Sequence, residues 1–295
     1  MNFKKPTVSL APELRDFFSR HHERIADLTV GGVIMWRDFF KTEYLFSEDC
    51  FLLSAETQSG RGFYFPLGDN REAVAARLIE SRGKEGLDTL FIGISPDKLS
   101  FFDSYKHTVK EDRDMFDYIY SSEDLSTLSG RRYAGQRNHI NAFMKGGTFE
   151  YLPITGDNCS LAKAFFENTS RASSAEDGYY SRLSAAEDSV CSEVFDNWDA
   201  YGFIGGMIVC GGRIIGAAVG DVIGDTLYVH IERADSSVRG AYPLTVREFA
   251  AHNCDDGIKY INREDDAGIA GLRTAKLAYH PCLMAEKYSV TVSSK

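Results

Sequence analysis

The sequence predicts an α/β protein built from two similar halves, each a mixed and mostly antiparallel sheet flanked by helices. The chain has 295 residues, which is enough for two domains of ordinary size. Of these residues 43% are apolar and 13% are aromatic, so the chain can bury a substantial core. Each half also repeats an antiparallel meander followed by helix, strand, helix and strand, an alternation that favours mixed sheets.

The first half begins with a helix that carries Pro12 in its first turn. Three short β-like runs follow, at residues 44–46, 51–55 and 63–67. Asp69 then has the position of an N-cap for a helix that ends at Gly83. A buried strand over 88–95 and a second helix that opens with Pro96 come next.

The second half shows the same order more clearly. Its predicted strands cover residues 149–154, 203–210, 213–221, 225–235, 257–264 and 283–292. Its predicted helices cover residues 158–170, 181–198, 242–252 and 268–279. Gly211 and Gly212 mark a tight hairpin between two of the strands. We place the join after a strand over 115–121, which gives domains of residues 1–125 and 126–295.

Composition and charge exclude several functional classes. The net charge of −10 argues against broad, sequence-independent binding to nucleic acid or anionic membranes, although a local basic patch is compatible with it. No apolar run approaches the roughly 18–20 residues that cross a bilayer, and the N-terminus lacks the apolar region of a secretory signal. We therefore expect a cytoplasmic protein with no integral membrane segment, and peripheral contact with a membrane stays open. The six cysteines form no CxxC pair, so the sequence predicts free thiols and no metal site.

Two long strings carry a family resemblance. The segments DYIYSSEDLSTLSGRRYAGQRNHINAF and INREDDAGIAGLRTAKLAYHPCLMAEKY resemble the signature blocks of an uncharacterised bacterial family related to the phosphatidylglycerol lysyltransferase C-terminal domain. The order of elements is similar to the GNAT acyltransferase fold. Two copies in one chain resemble the tandem arrangement of the Fem-type peptidyltransferases and of that lysyltransferase domain. The likeness covers nearly the whole chain.

The resemblance implies an acyl- or aminoacyltransferase that moves its group onto an amine or hydroxyl by direct attack. The donor would be aminoacyl-tRNA or a coenzyme A thioester, and no cofactor is firmly implied. The acceptor would be a small molecule or a lipid head group. The first domain would be structural, and the second would hold the active site. The alternative is a non-catalytic scaffold of the same fold that binds a small anionic ligand or a partner, since fold does not imply function.

A basic segment lies next to the predicted join. Arg131, Arg137, Asn138 and His139 are candidates to bind an anionic donor, such as the phosphates of coenzyme A or a tRNA acceptor end, because guanidinium groups suit phosphate recognition. The alternative is a helix between the domains whose charges are solvated or paired with nearby acids.

The loop before the predicted helix 242–252 corresponds, by the resemblance, to the pyrophosphate-binding loop of GNAT enzymes. The candidate donor-binding residues are Arg239, Gly240 and Tyr242. The loop departs from the family pattern because it has a single glycine in place and a bulky tyrosine at its last position. Tyr242 would crowd a pyrophosphate, and this disfavours acetyl-CoA.

Two residues are candidates for catalysis. Glu232 lies two residues after His230 on a predicted strand, so both point to one face, and GNAT enzymes often keep a general base on this strand. Tyr279 has the position at which many of these enzymes keep a tyrosine that protonates the leaving thiolate. One alternative is that Glu232 and His230 pair with each other, or with the neighbourhood of Arg233, on an exposed face. The other is that Tyr279 only packs.

The end of the predicted strand 257–264 carries the densest polar cluster. Asn262, Arg263, Glu264 and Asp265 leave this strand where ligand crevices open in α/β sheets, and the first three are candidate substrate-binding residues. Asp265 or the aspartate after it would cap the following helix. Lys276 on that helix could hold a carboxylate or a phosphate.

Overall fold

A computed structural model describes residues 2–57, 60–169 and 179–294. It contains two mixed sheets of seven strands, and helices flank both of them. The predicted fold class is therefore confirmed. Residue 170, the last of the predicted helix 158–170, lies outside the described residues.

The described helices and strands have the following bounds. The helices are α1 (Ala11–Arg20), α2 (Val30–Ile34), α3 (Arg71–Lys84), α4 (Ser122–Thr127), α5 (Ala134–Met144), α6 (Cys159–Asn168), α7 (Tyr179–Asp196), α8 (Trp198–Tyr201), α9 (Ala241–Asn253) and α10 (Ala270–Leu277). The strands are β1 (Glu43–Ser47), β2 (Cys50–Thr57), β3 (Gly60–Tyr64), β4 (Leu67–Gly68), β5 (Thr89–Ile94), β6 (His107–Glu111), β7 (Asp117–Ser121), β8 (Glu150–Pro153), β9 (Ile204–Cys210), β10 (Arg213–Ile223), β11 (Thr226–Ala234), β12 (Tyr260–Asn262), β13 (Leu283–Ala285) and β14 (Tyr288–Val292).

Most elements begin and end within a few residues of their predicted bounds. Pro12 lies in the first turn of α1, as predicted, whereas the helix predicted at Pro96 is a 3-10 helix, Pro96–Ser104. The prediction that Asp69 caps α3 is wrong. Residues 69 and 70 form a turn, so Asp69 comes one position too early, and the N-cap is Asn70, whose side chain makes no capping hydrogen bond.

The two sheets exchange strands along the chain. The first sheet has the order β1-β2-β3-β5-β14-β6, with β4 paired to β2, and the second has the order β13-β7-β12-β11-β10-β9-β8. Thus β14 lies between β5 and β6 of the first sheet, and β7 lies between β12 and β13 of the second. Each sheet therefore takes a strand from the other side of residue 125, and the division into domains 1–125 and 126–295 stays a prediction.

The prediction of a single strand over residues 283–292 is wrong. The segment is broken into β13, which pairs with β7, and β14, which pairs with β5 and β6. The break falls at Lys287, whose ammonium group is buried and contacts Asp27 at 2.5 Å and Asp117 at 2.7 Å. This ion pair fixes the crossing point from one sheet to the other.

The second sheet opens between β11 and β12, its one parallel pair among the described strands. The pairing joins Thr226 to Tyr260 and ends at Tyr228 with Asn262. Because β11 continues to Ala234, its second part has no neighbour on this side. The opening lies beyond the carboxyl end of β12, where ligand crevices of α/β sheets are found.

The largest apolar core joins both sheets through α1 and α2. It contains Phe18 of α1, Val33 of α2, Phe51 of the first sheet, and Val219 and Ile231 of the second. Burial of one such side chain contributes about 1.5–3 kcal/mol, so this shared core holds the halves together. Within the described part of the chain, every helix is too short or too polar to span a bilayer.

Candidate functional site

A cavity of about 730 Å³ lies between the two halves, where β11 and β12 diverge. Its volume falls within the range of small-molecule sites. The first half supplies an apolar wall that includes Trp36, Phe40, Leu53, Tyr64 and Ile92, and next to it a charged stretch over residues 110–114. The second half supplies a polar wall from β11, α9, α10 and the loop between β12 and α10. Five of the predicted site residues line this wall: Glu232, Tyr242, Arg263, Glu264 and Lys276.

Arg263 is the central cation of the polar wall. Its guanidinium group is buried, and its carbon Cζ lies 5.6, 5.7 and 5.0 Å from the ring centroids of Tyr120, Tyr242 and Tyr279. Its Nη2 donates to Glu232 Oε2 and, at 2.6 Å, to Tyr242 Oη. Burial opposes the charge, but Glu232 and the tyrosines raise the pKa of Arg263 well above its ordinary value, so it stays charged.

The second terminal nitrogen of Arg263 makes no hydrogen bond to the described part of the chain. Among the described residues, Nη1 of Arg263 is buried and has no hydrogen-bond partner. An unmet buried donor is costly, and a charged donor more so. A ligand oxygen that came within hydrogen-bonding distance of Nη1 would satisfy this donor.

Glu232 and Tyr242 complete this cluster. Tyr242 Oη donates to Glu232 Oε2 at 2.9 Å, and both residues contact the same guanidinium nitrogen of Arg263. The alternative in which Glu232 and His230 pair with each other on an exposed face is wrong, because both side chains are largely buried and Glu232 pairs with Arg263. Glu232 thus holds a cation in place.

His230 lies between two carboxylates. Its Nδ1 donates to Glu264 Oε1 at 2.8 Å, and its Nε2 donates to Asp221 Oδ1 at 3.1 Å. Burial lowers the pKa of His230, but Asp221 and Glu264 more than compensate and raise it to about 10. The imidazole is therefore charged at neutral pH, and it orients Glu264 instead of accepting protons.

The loop after β12 is held by contacts at several points. Asn262 Nδ2 donates to Asp117 Oδ2 at 3.1 Å, and its Oδ1 accepts from the backbone N–H of Glu264 at 2.7 Å. Glu264 itself has a left-handed backbone, with a φ of 58°. Lys276 Nζ donates to the backbone carbonyl groups of Arg263, at 2.5 Å, and of Asp265. Lys276 thus braces the loop, and its predicted binding of a ligand carboxylate or phosphate stays a prediction.

Asp265 is the cavity residue whose role the sequence did not indicate. The expected capping of α10 by Asp265 or Asp266 is wrong, since the N-cap of α10 is Ile269. Asp265 Oδ1 instead accepts from the backbone N–H of Ala267 at 2.8 Å. Burial raises the pKa of Asp265 to about 7, although Lys287 and Lys276 act in the opposite direction.

Tyr279 lies behind Arg263, outside the lining of the cavity. Its side chain is buried, and burial raises the pKa of Tyr279 far above its ordinary value. Its backbone carbonyl accepts from Tyr133 Oη at 3.1 Å. In the structure Tyr279 packs against the guanidinium group of Arg263. Its predicted role as a proton donor stays a prediction.

The basic segment forms a separate outer face. None of Arg131, Arg137, Asn138 and His139 lines the cavity. Arg137 Nη1 donates to the backbone carbonyl groups of Leu128 and, at 2.6 Å, of Gly130, and it thereby closes the turn before α5. The other three side chains are exposed. We call Arg131, Asn138, His139 and the nearby Arg239 the outer basic face.

Helix α5 covers the N-terminus of α9. Arg239 Nε donates to His139 Nδ1 at 3.3 Å, and the N-cap Gly240, with a φ of 90°, is buried. A Cβ at Gly240 would clash with the backbone carbonyl of His139 and lie 3.2 Å from Cβ of Phe143. Pro243, the third residue of α9, has no N–H. The helix end that would bind a pyrophosphate is therefore closed by α5, and Tyr242 points instead to Glu232.

A comparison with protein families identifies the group to which this sequence is related. The family described as phosphatidylglycerol lysyltransferase, C-terminal, matches residues 18–291. The chain belongs to this family. It is also 25% identical over 186 residues to the uncharacterised protein MYCGA3080 of Mycoplasmoides gallisepticum. That match covers 59% of this chain and spans 56% of the length of the curated relative.

Several solved structures share the fold over nearly the full length of this chain. A conserved protein of unknown function from Bacteroides thetaiotaomicron is 29% identical, with a TM-score of 0.88 over 99% of this chain and 100% of its own. L-PGS from Bacillus licheniformis is 13% identical, with a TM-score of 0.66 over 96% of this chain and 92% of its own. FemX is 11% identical, with a TM-score of 0.58 over 98% of this chain and 97% of its own.

Proposed function

We propose that this protein is an aminoacyltransferase that takes its acyl group from aminoacyl-tRNA and passes it to an amine or hydroxyl acceptor. The observation that carries the choice of donor is the closed N-terminus of α9. An acyl-CoA donor needs free backbone N–H groups there for its pyrophosphate, and Gly240 and Ala241 are buried against α5. The ester of an aminoacyl-tRNA has no pyrophosphate, so this donor does not need a free helix N-terminus.

Family membership supports the same choice. The family is named for a lysyltransferase, and L-PGS and FemX have the same fold over nearly the whole chain. The proposed reaction is acyl transfer without a covalent enzyme intermediate. The attacking nitrogen or oxygen bonds to the ester carbonyl carbon, and the bond from that carbon to the ribose oxygen of the tRNA breaks.

Arg263 would supply the electrostatic part of catalysis. Its unpartnered Nη1 can donate to the carbonyl oxygen of the ester, on which negative charge develops as the acceptor attacks. Glu232 and Tyr242 fix the guanidinium group through its other terminal nitrogen, so its direction is set before the substrate arrives. Removal of one such donor costs about 10²–10³ in rate in well-studied acyl-transfer enzymes.

The outer basic face would contact the acceptor arm of the tRNA. Arg131, His139 and Arg239 lie on or beside α5, and Arg239 is three residues from the cavity residue Tyr242. In a chain with a net charge of −10, a local basic face directs a polyanion to one place. The acceptor, a small molecule or a lipid head group, would then enter along the apolar wall of the first half.

The test uses the full-length protein and tRNA charged with one radiolabelled amino acid at a time. Transfer is measured to phosphatidylglycerol vesicles and to a mixture of soluble amines and alcohols, with labelled acetyl-CoA as the competing donor. We expect transfer from at least one charged tRNA and none from acetyl-CoA. Arg263→Lys should lower the rate about 100-fold. The matched control Arg213→Lys, on the exposed β9–β10 hairpin, should leave it unchanged.

Two results would contradict the proposal. Turnover with acetyl-CoA at a rate equal to that with charged tRNA would establish the other donor. Absence of transfer and of tRNA hydrolysis with every charged tRNA would favour the scaffold that binds an anionic ligand without catalysis.

A further inference from the structure

We propose that Asp265 is the proton acceptor of the cavity, the carboxylate that takes the proton from the attacking amine or hydroxyl. This inference rests on the aminoacyl transfer proposed above and adds a catalytic residue to it. Three observations on the described residues support it: the pairing of the other carboxylates, the position of Asp265 in the cavity, and the charges around it.

Among the described residues seven other carboxylates line the cavity, and six of them have a cationic partner at 3.3 Å or less. These six are Asp27, Asp112, Asp114, Glu187, Glu232 and Glu264. The seventh, Glu111, is exposed at the rim. Asp265 differs from all of them, because it is partly buried and, within the described residues, forms no ion pair and a single hydrogen bond, to the N–H of Ala267. A carboxylate held in an ion pair is a poor base, and the exposed Glu111 is solvated, so among the described carboxylates of the cavity Asp265 is the partly buried one that is available.

The surroundings of Asp265 keep it close to its titration point at neutral pH. The cations Lys287 and Lys276 lower the pKa of Asp265, and the acids Asp117 and Asp27 raise it. Burial is the largest of these influences, and it raises the pKa of Asp265 to about 7. A base with a pKa near the working pH combines a sufficient ionised fraction with a sufficient affinity for the proton.

The backbone of Asp265 is held rigidly relative to Arg263. Lys276 Nζ donates to the backbone carbonyl groups of both residues, which lie two positions apart on one loop. The group that polarises the ester and the group that accepts the proton are thus carried by the same braced segment. Two catalytic groups must be held at a fixed position relative to each other, and this braced loop does so for the backbone of both residues.

The proton and electrons of the step balance within the cavity. The N–H or O–H bond of the acceptor breaks, its proton moves to a carboxylate oxygen of Asp265, and its electron pair forms the new bond to the carbonyl carbon. The carbon–oxygen bond to the tRNA ribose then breaks, and the leaving oxygen keeps that electron pair. The protonated Asp265 returns its proton to this oxygen, and the enzyme regains its starting state.

The experiment compares Asp265→Asn with a matched control, Asp255→Asn. Asp255 also accepts from the backbone N–H two residues later, at 2.8 Å, but it is exposed and outside the cavity lining. Transfer from the charged tRNA that serves the wild-type protein is measured between pH 5.5 and 8.5. We expect the wild-type rate to rise with pH around pH 7, the Asp265→Asn rate to fall about 10²–10⁴-fold with loss of this rise, and the control to match the wild type.

Rescue experiments separate chemistry from structure. Formate should restore part of the activity of Asp265→Ala, because it can enter the space left by the carboxylate, and Asp265→Glu should retain the rise near pH 7. If Asp265→Asn is active with the wild-type pH profile, or if Asp265→Ala is inactive and formate has no effect, Asp265 is not the base. If the wild-type protein transfers from no charged tRNA, the proposed function itself fails, and this assignment fails with it.

Discussion

Lys287 Nζ donates to Asp117 Oδ1 at 2.7 Å, and this buried contact joins the segment between β13 and β14 to the first residue of β7. Asp27 accepts from the same ammonium group at 2.5 Å and receives a second hydrogen bond from Tyr64 at 2.7 Å. One cation thus connects three parts of the chain at the point where the two sheets exchange strands.

Replacement of Lys287 should destabilise the protein strongly. In Lys287→Met, Asp27 and Asp117 lose their cation while buried, and removal of one partner of a buried pair costs about 3–5 kcal/mol. Lys110→Met, which removes an exposed ammonium group paired with Asp112, is the control and should cost less than about 1 kcal/mol. Urea unfolding measures both losses, and equal losses would contradict a central role for Lys287.

Replacement of Gly240 tests the contact that closes α9. Gly240→Ala should lower stability by about 1–3 kcal/mol or more, because a φ of 90° disfavours any side chain and the new Cβ would clash with His139. Gly130→Ala is the control for strain alone, with a φ of 82° and open space around its Cβ position. A loss no larger than that of Gly130→Ala, measured by thermal unfolding, would mean that α5 does not press on Gly240.

The two candidate bases make different predictions for the pH profile. Glu232→Gln should lower transfer and stability, since Arg263 loses its ion-pair partner, but the rise in rate near pH 7 should remain. That rise should disappear only when Asp265 is replaced. A Glu232→Gln profile that is flat with pH would assign the proton acceptor to Glu232, as the sequence alone predicted.

His230 should make stability depend on alkaline pH. Its pKa is raised from an ordinary 6.5 to about 10 in the folded protein, so its contribution is fully present below about pH 6.5 and is lost as pH rises toward 10. Each unit of pKa difference corresponds to about 1.4 kcal/mol. Wild-type protein should therefore lose stability relative to His230→Gln across this window, as measured by urea unfolding. The exposed His139→Gln should follow the wild type, and parallel curves for His230→Gln would mean that His230 is neutral.

Local patterns predicted one part of the candidate site well. Alternation along a strand put His230 and Glu232 on one face, and a polar run at the end of the next strand indicated Arg263 and Glu264. In the structure these side chains meet in the opening between β11 and β12. Strand periodicity and strand ends are properties of short segments, and so the sequence could reveal them.

What the sequence did not reveal depends on distant residues. The segment 283–292 has the composition of one strand, and its break at Lys287 requires Asp27 and Asp117 from far along the chain. The local sequence around Asp265 resembles a helix cap. That Asp265 differs from the other cavity carboxylates becomes visible only once the ion pairs of those carboxylates are known. The contact of α5 with Gly240 likewise joins residues about a hundred positions apart.

The exchange of strands also governs how the protein can be made. As the chain leaves the ribosome, β5 and β6 appear early, but the space between them stays empty until β14 has been synthesised. Until then both strands expose unpaired backbone groups, which other chains can pair with. Neither half can therefore complete its fold before the other half has been synthesised. A gene fragment that encodes one half would yield a sheet with a strand missing. Completion of the two sheets, and of the cavity between them, is one late and shared event.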